Sequence, residues 1–242
     1  MTMARRQLRE TGTYLMAPAE LNAYLGVGAA AWRPFDSHWD ALVPDPYAAE
    51  LGTQRLRRYG HYLYNTADRT AEPMPLCAFV QPDGSNPLYV DRERHFLGLT
   101  DSFMSDPMLR GLLALLGELA VELDTCDEWH AQVTPFRVVA TAAGGGNPTP
   151  EGLHRDGVTL VSSLLINRHN AVGGTSRVCD SEGFCLMETT MHDPGTLLLG
   201  DDRRTLHGVS PIQPRDPDEP AWRDVLVLTF APLSPSDRRQ RR

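Results

Sequence analysis

The chain has 242 residues and a net charge of −8 at pH 7, so it lacks the basic face that phosphate backbones require, and we expect no nucleic-acid partner. All 23 basic residues are arginine, which excludes a lysine Schiff base, a pyridoxal phosphate anchor and a P-loop lysine. Because no apolar run is as long as a membrane span and the polar N-terminus shows no secretory signal, we expect a cytoplasmic protein without a membrane partner.

The first half of the chain is predicted to be mainly helical. Asp45-Pro46 supplies an N-cap and a first-turn proline for a helix over residues 47–65, and Asp106-Pro107 does the same for a second helix. Leucines recur at helical spacing in the second helix and form an apolar stripe: Leu109, Leu112, Leu113, Leu116 and Leu123. We expect this stripe to pack against the outside of a barrel.

From about residue 132 the pattern changes to short runs of strand-forming residues separated by glycine, proline and aspartate. These runs predict strands over residues 133–141, 158–166, 175–178, 183–190, 196–199 and 223–231. The Gly144-Gly145-Gly146 run predicts a loop, and so does the proline-rich stretch 211–220.

The length and composition predict a single domain over residues 1–242. Residues 1–130 form a mainly helical support region, residues 131–232 form the core with the metal site, and residues 233–242 form a disordered tail. The four cysteines form no CxxC pair, which favours buried or incidental thiols.

The most informative motif is His154-Arg155-Asp156, which His207 follows 51 residues after Asp156. If residues 153–156 are extended, the side chains of His154 and Asp156 point to the same side and converge. A third ligand must then come from elsewhere, and we place His207 in a turn after a strand. Two imidazoles and one carboxylate can hold iron(II) on one face and leave positions open for a co-substrate and oxygen. The spacing predicts a metal site in a small antiparallel barrel.

A His-x-Asp pair alone is more often a surface pair or a satisfied core histidine, so the motif depends on His207 and on the residues around it. His192-Asp193 is a second such pair, but Pro194-Gly195 follows it and predicts a hairpin turn. The other histidines have no ligand spacing and are expected to be structural or exposed: His38, His61, His95, His130 and His169. Two alternatives use the same three ligands: a zinc hydrolase with a metal-bound hydroxide, and a non-catalytic barrel that binds a small molecule.

An oxygenase also needs a source of electrons, and 2-oxoglutarate is a common one. Its keto acid chelates the metal, while its far carboxylate needs a cation, for which the planar fork of arginine is best suited. We prefer Arg223 to Arg215, because Arg223 opens a strand whereas Arg215 lies in the proline-rich loop. Thr229 shares a strand face with Arg223 and is predicted to hydrogen-bond the co-substrate.

Taken together, His154, Asp156, His207 and Arg223 resemble the motif of the iron(II)- and 2-oxoglutarate-dependent dioxygenases. Residues 148–157, 167–170, 173–176 and 223–226 resemble more narrowly the bacterial subgroup that includes isoleucine hydroxylase. The resemblance covers roughly residues 130–231, and the N-terminal part more loosely. It implies a mainly β fold with flanking helices, in which a jelly-roll or cupin-like double-stranded β-helix core follows a helical N-terminal part.

The resemblance implies hydroxylation of an unactivated C–H bond in a free L-amino acid or close derivative, with iron(II), 2-oxoglutarate and O2, and with release of succinate and CO2. Related halogenases have a small residue in place of the ligand aspartate. Because Asp156 is present, we expect oxygen insertion. Desaturation or sulfoxidation would use the same residues.

A free amino acid brings a carboxylate and an ammonium group, so its pocket needs a cation and an acidic or amide partner. The candidates are Arg137, Arg168, Glu151 and Asp201, each of which also suits a surface ion pair, and Asp201 and Asp202 also suit a turn cap. The partner is a small molecule, and a homodimer is one option for assembly. The arginine bias favours a GC-rich bacterial genome, in which such enzymes serve natural-product biosynthesis.

Overall fold

The computed structural model describes residues 1–79, 88 and 92–234. The helices of this part of the chain are α1 (Thr2–Thr11), α2 (Pro18–Leu25), α3 (Trp32–Asp36), α4 (Pro46–Ala49), α5 (Asp101–Met104) and α6 (Pro107–Leu123). Two 3-10 turns, Ala29–Ala31 and Ser37–Ala41, flank α3. The α6 helix begins as predicted, because the Asp106 carboxylate accepts the Met108 N–H at 2.8 Å.

The strands of the N-terminal part are β1 (Thr13–Met16), β2 (Val43–Pro44), β3 (Gln54–Arg57), β4 (Gly60–Asn65) and β5 (Thr70–Pro73). The later strands are β6 (Glu128–Ala140), β7 (Leu160–His169), β8 (Ala171–Gly173), β9 (Ser176–Asp180), β10 (Cys185–Thr189), β11 (Leu197–Asp201), β12 (Thr205–Val209), β13 (Ile212–Pro214) and β14 (Ala221–Pro232). The N-terminal part therefore contains strands as well as the expected helices.

Two antiparallel sheets enclose the centre of the molecule. The larger sheet has the order β1-β11-β7-β14-β6-β3-β2, with β4 and β5 joined to it through β6. The smaller sheet has the order β10-β9-β12, and β8 pairs with β13. An apolar cluster joins the two sheets: Leu165, Val178, Met191, Leu198 and Val225. This arrangement is the double-stranded β-helix that the sequence predicts.

The outer face of the larger sheet packs against the helices. Along β14, Leu226, Leu228 and Phe230 are fully buried in the same cluster as the α6 leucines. The predicted stripe is confirmed, since its first four leucines are fully buried and Leu123 packs against them. Each buried leucine stabilises the fold by roughly 1.5–3 kcal/mol, so α6 fixes the outer side of the barrel.

The inner face of β14 carries Arg223, Val225, Val227 and Thr229, because side chains alternate along a strand. The register between β14 and β6 is unbroken from Ala221↔Ala140 to Pro232↔Trp129. The irregularity near Asp224 occurs only against β7. The inner row of β14 is therefore continuous from one end of the barrel to the other.

The helix predicted over residues 47–65 is wrong beyond its first turn. The Asp45 carboxylate does cap α4 by accepting two backbone N–H groups at 3.1 Å. The helix then ends, the chain turns at Gly52 (φ +73°), and β3 and β4 follow. A cap contributes only about 1 kcal/mol, and the pairing of β3 and β4 with β6 outweighs it.

The predicted strands from residue 133 onward are present with shifted ends, and β13 lies inside the predicted loop 211–220. His207 lies within β12 rather than in a turn. The predicted tail begins too early, because Leu233 is buried and donates its N–H to the Glu128 carbonyl at 3.0 Å. The rest of that tail, from residue 235, lies outside the described residues. Within the described chain, no helix is long and apolar enough to cross a membrane.

Candidate active site

Three metal-ligating side chains meet at the edge of the apolar core. His154, just before β7, forms a β-bridge with His207 in β12, with N···O distances of 3.0 and 2.9 Å. Asp156 lies between the imidazoles, with Oδ1 3.7 Å from His154 Nε2 and Oδ2 3.6 Å from His207 Nε2. The ligand atoms all lie within 4.8 Å of one another. This geometry suits a metal bound on one face, with the opposite positions open.

The outer nitrogen of each imidazole faces an oxygen that orients the ring. His154 Nδ1 is 3.0 Å from the Gly152 carbonyl, which favours a proton on Nδ1 and leaves Nε2 for a metal. His207 Nδ1 is 3.6 Å from Asp202 Oδ1, slightly beyond hydrogen-bond distance. The Asp202 carboxylate also accepts three consecutive N–H groups, beginning at Asp156, at 2.8–3.2 Å. Asp202 therefore connects the Asp156 segment to the ring of His207.

Charge in this cluster favours a cation between the ligands. Burial raises the pKa of Asp156, and the two imidazoles only partly oppose this. Burial alone would lower the pKa of His207, but the carboxylates of Asp202 and Asp156 outweigh it and raise that pKa. Burial would likewise raise the pKa of Asp202, but His207 and the backbone N–H groups lower it. A divalent ion can replace the protons that these groups share, so the donor set fits iron(II).

Arg223 lies further along the inner face and is 1% exposed. Its Nε and Nη2 atoms are buried and have no hydrogen-bond partner among the described residues. Burial lowers the pKa of Arg223 to about 10, which still leaves a cation at neutral pH. A buried, unpaired guanidinium is costly unless an anion binds it. The fork therefore fits the far carboxylate of 2-oxoglutarate.

The smaller sheet offers a hydroxyl group on the path between the metal ligands and Arg223. Ser176 pairs in register with Val209, two residues beyond His207, and lies two residues from the core side chain of Val178. Its Oγ is buried and has no partner among the described residues. Ser176 was not identified from the sequence, because a lone serine in a strand carries no pattern.

Thr229 shares the inner face with Arg223 but lies about 20 Å from it along the strand, because six residues separate them. Its register partner is Val161, which in turn pairs with Gly200, two residues before Asp202. The Thr229 Oγ is buried and has no partner among the described residues. Its predicted hydrogen bond to the co-substrate stays a prediction.

Of the residues predicted to contact substrate, Glu151 lies at the metal site. Its Oε1 is 3.4 Å from His154 Nε2, closer than either oxygen of Asp156 is to an imidazole nitrogen. The structure thus brings Glu151 to the candidate metal site, and its contact with a substrate stays a prediction.

The other three predicted contacts have partners elsewhere. Arg137 lies on the outer face, where Nε and Nη2 donate to both oxygens of Asp224 at 2.8 and 2.7 Å. Arg168 donates to the backbone carbonyl groups of Met191, Ala171 and Gly173, and it is the register partner of Arg223. Asp201 accepts two bonds from Arg203 at 2.9 and 3.0 Å. The contacts of these three side chains with a substrate stay predictions.

A model of the family described as 2OG-Fe dioxygenase matches residues 36–229. L-isoleucine-4-hydroxylase from Bacillus thuringiensis is 26% identical over 163 residues, which cover 62% of this chain and 67% of that protein. The structure of a bsmA homolog from Methylobium petroleophilum PM1 has a TM-score of 0.86 and 34% identity, covering 96% of this chain and 92% of that chain.

The structure of IDO from Bacillus thuringiensis has a TM-score of 0.78 and 18% identity, covering 96% of this chain and 95% of that chain, and so matches in fold. The matched range includes His154, Asp156, His207 and Arg223. We conclude that the chain belongs to the 2OG-Fe dioxygenase family, whose enzymes use iron(II), 2-oxoglutarate and O2.

Proposed function

We propose that this enzyme hydroxylates an unactivated C–H bond of a free L-amino acid or close derivative, with release of succinate and CO2. The observation that carries the proposal is that the His154–Asp156–His207 cluster and the buried Arg223, whose Nε and Nη2 have no partner among the described residues, border the same apolar cluster between the two sheets. The relative named L-isoleucine-4-hydroxylase supports the amino-acid substrate.

Each polar residue of this surface has a distinct role. His154, Asp156 and His207 would hold iron(II), which activates O2 with electrons from 2-oxoglutarate. Arg223 binds the far carboxylate of 2-oxoglutarate with two parallel N–H groups, and Ser176 offers it a hydroxyl hydrogen bond. Asp202 orients His207 and holds the backbone that carries Asp156, so the ligand geometry is set before the metal binds.

The apolar residues between the His154–Asp156–His207 site and Arg223 limit the access of water. Val225, Val178 and Leu198 are nearly inaccessible to solvent and lie between the sheets. Such a wall excludes water from the reacting groups and strengthens the charge contacts of Arg223. Because Asp156 occupies the carboxylate position of the triad, oxygen insertion is the outcome we assign.

The test is reconstitution without oxygen, using iron(II) and 2-oxoglutarate, followed by admission of O2 with a panel of free L-amino acids. We expect succinate to form together with a product that is heavier by one oxygen atom. Both should be lost in His154→Ala and in Arg223→Ala. Arg215→Ala is the matched control, because it removes an arginine outside the inner face.

The outcomes separate the parts of the proposal. Succinate above the enzyme-free control without an oxygenated amino acid would reject the free amino acid while keeping the oxygenase chemistry. Full activity in Arg223→Ala would reject the assigned co-substrate site. A dehydrogenated product in place of the oxygenated one would reject hydroxylation.

A further inference from the structure

The inner face of the larger sheet continues past β6 onto the strands of the N-terminal part. The β3 strand pairs Arg57 with Phe136, and β4 pairs His61 with Gln132, so the two strands keep one register with β6. Because Phe136 packs in the same cluster as Val225, the Arg57 side chain lies on the inner face as well. This part of the face lies two strands, or about 10 Å, to the side of β14.

Arg57 is a buried cation among aromatic rings. It is 4% exposed, and its guanidinium lies 3.6 Å from the centre of the Phe96 ring and 4.8 Å from that of Phe136. Its Nε is buried and has no hydrogen-bond partner among the described residues. Cation–π contacts hold the group in place, but they do not supply an acceptor for this N–H.

Among the described residues, the carboxylate that pairs with Arg57 is shared with a second arginine. Asp45 Oδ2 is 3.9 Å from Arg57 Nη1, but the same oxygen is 2.8 Å from Arg55. The other oxygen of Asp45 caps α4. One carboxylate thus serves two guanidinium groups, and Arg57 has the longer contact. Burial lowers the pKa of Arg57 to about 9, so it still carries its charge at neutral pH.

We propose that Arg57 binds the carboxylate of the substrate. A carboxylate there would accept from the Nε–H of Arg57 and balance the second guanidinium. The substrate then lies across the inner face, with its carboxylate at β3 and its apolar side chain over Phe136 and Val227, towards the metal ligands. This inference rests on the proposed function, and it adds that the oxidised carbon lies on the side chain and not next to the carboxylate.

The test uses the enzyme loaded with iron(II) and 2-oxoglutarate without oxygen, a complex whose visible charge-transfer absorption responds to a substrate bound beside the metal. Each L-amino acid of the panel, beginning with L-isoleucine, is titrated next to its carboxamide. A second series contains the 2-hydroxy acids and N-acetyl amino acids with the same side chains. The variants are Arg57→Met, Arg57→Lys and, as a matched control on the same strand and the same carboxylate, Arg55→Gln.

We expect the acids to change the spectrum and their amides not to do so. Arg57→Met should raise the dissociation constant of the acids about 30-fold or more, and Arg57→Lys should restore part of the binding. Arg55→Gln should bind the acids within about threefold of the parent protein. In all three variants the spectrum without substrate should persist, which shows that the metal and co-substrate sites are intact.

Equal binding of acids and amides, or normal binding of acids by Arg57→Met, would overturn the role of Arg57 and leave the proposed function standing. Binding of the second series alone, with the same dependence on Arg57, would reject the free amino acid and keep the carboxylate site. Both proposals fall if neither series changes the spectrum. If Arg55→Gln weakened binding of the acids as much as Arg57→Met, the proposal would also be overturned. Removal of either positive charge would then be enough to weaken binding.

Discussion

Two buried arginines on the inner face of the barrel differ in their surroundings. Among the described residues, two guanidinium nitrogens of Arg223 on β14 have no partner, and its side chain packs beside Gly174. On the same basis, Arg57 on β3 has one such nitrogen, with aromatic rings around it and a share of Asp45. The less a buried cation is balanced by the protein, the more it depends on a bound anion. Arg223 should therefore bind its carboxylate more strongly than Arg57 does.

The largest expected effect concerns Arg223, whose charge the protein balances less than that of Arg57. Arg223→Met should lower kcat/KM for 2-oxoglutarate about 1000-fold, since losing one partner of a buried charge pair costs about 2–5 kcal/mol. Iron binding should change little, because none of the three candidate ligands lies on β14. Steady-state succinate formation with varied 2-oxoglutarate measures the effect, and Arg215→Met is the control. A comparable loss in Arg215→Met would reassign the co-substrate anchor to the loop.

The iron(II) affinity of the His154–Asp156–His207 site should depend on Asp202 and not on either arginine. Asp202→Asn weakens the contact with His207 Nδ1 and the three backbone N–H bonds. We expect iron(II) affinity to fall about 10- to 100-fold, as for other groups that orient a ligand histidine. Anaerobic metal titration measures this, and Asp201→Asn is the control because its carboxylate binds Arg203. Normal iron affinity in Asp202→Asn would show that backbone pairing alone positions His207.

Features that depend on neighbouring residues could be predicted from the sequence, whereas features that depend on long-range strand pairing could not. The His154–Asp156 spacing is local, so alternation along an extended segment was enough to predict that the two side chains converge. The α6 helix was also predictable, because its cap and leucine stripe lie within one element. Arg223 was found because a single continuous strand orders its neighbours.

The inward-facing position of Arg57 was not predicted, because the Asp45-Pro46 cap signal indicated a helix over residues that form two strands. The Asp45-Pro46 pair does start a helix, but the helix prediction for the following residues concealed polar and aromatic side chains at every second position: Arg55, Arg57, Tyr59 and His61. That period of two is typical of a strand. Only the pairing with β6, which lies some 80 residues later in the chain, decides between the two, and a single sequence does not show it.

A smaller effect should follow from moving Arg223 without removing it. A Cβ atom on Gly174 would lie 2.8 Å from Ile212 Cγ2 and 3.3 Å from Arg223 Cδ, at a φ of +70°. Gly174→Ala should raise KM for 2-oxoglutarate about tenfold, which corresponds to about 1.4 kcal/mol, and leave the amino-acid KM unchanged. Gly183→Ala is the matched control, because its φ is also positive (+89°) but nothing lies within 4 Å of the added Cβ. An equal effect in both variants would mean that backbone strain, and not contact with Arg223, is responsible.

The smallest effect should appear in stability without any ligand. Removing Arg57 removes the desolvation cost of a buried cation, and Asp45 keeps Arg55 as its partner at 2.8 Å, so no buried charge is left unpaired. Arg57→Met loses cation–π contacts of about 0.5–2 kcal/mol but keeps a polarisable side chain against Phe96 and Phe136. We expect the free energy of unfolding in urea to stay within about 1 kcal/mol of the parent value, since these terms offset each other. A loss of several kcal/mol would show that Arg57 is a structural cation, because a group kept for an external carboxylate contributes to binding and not to folding.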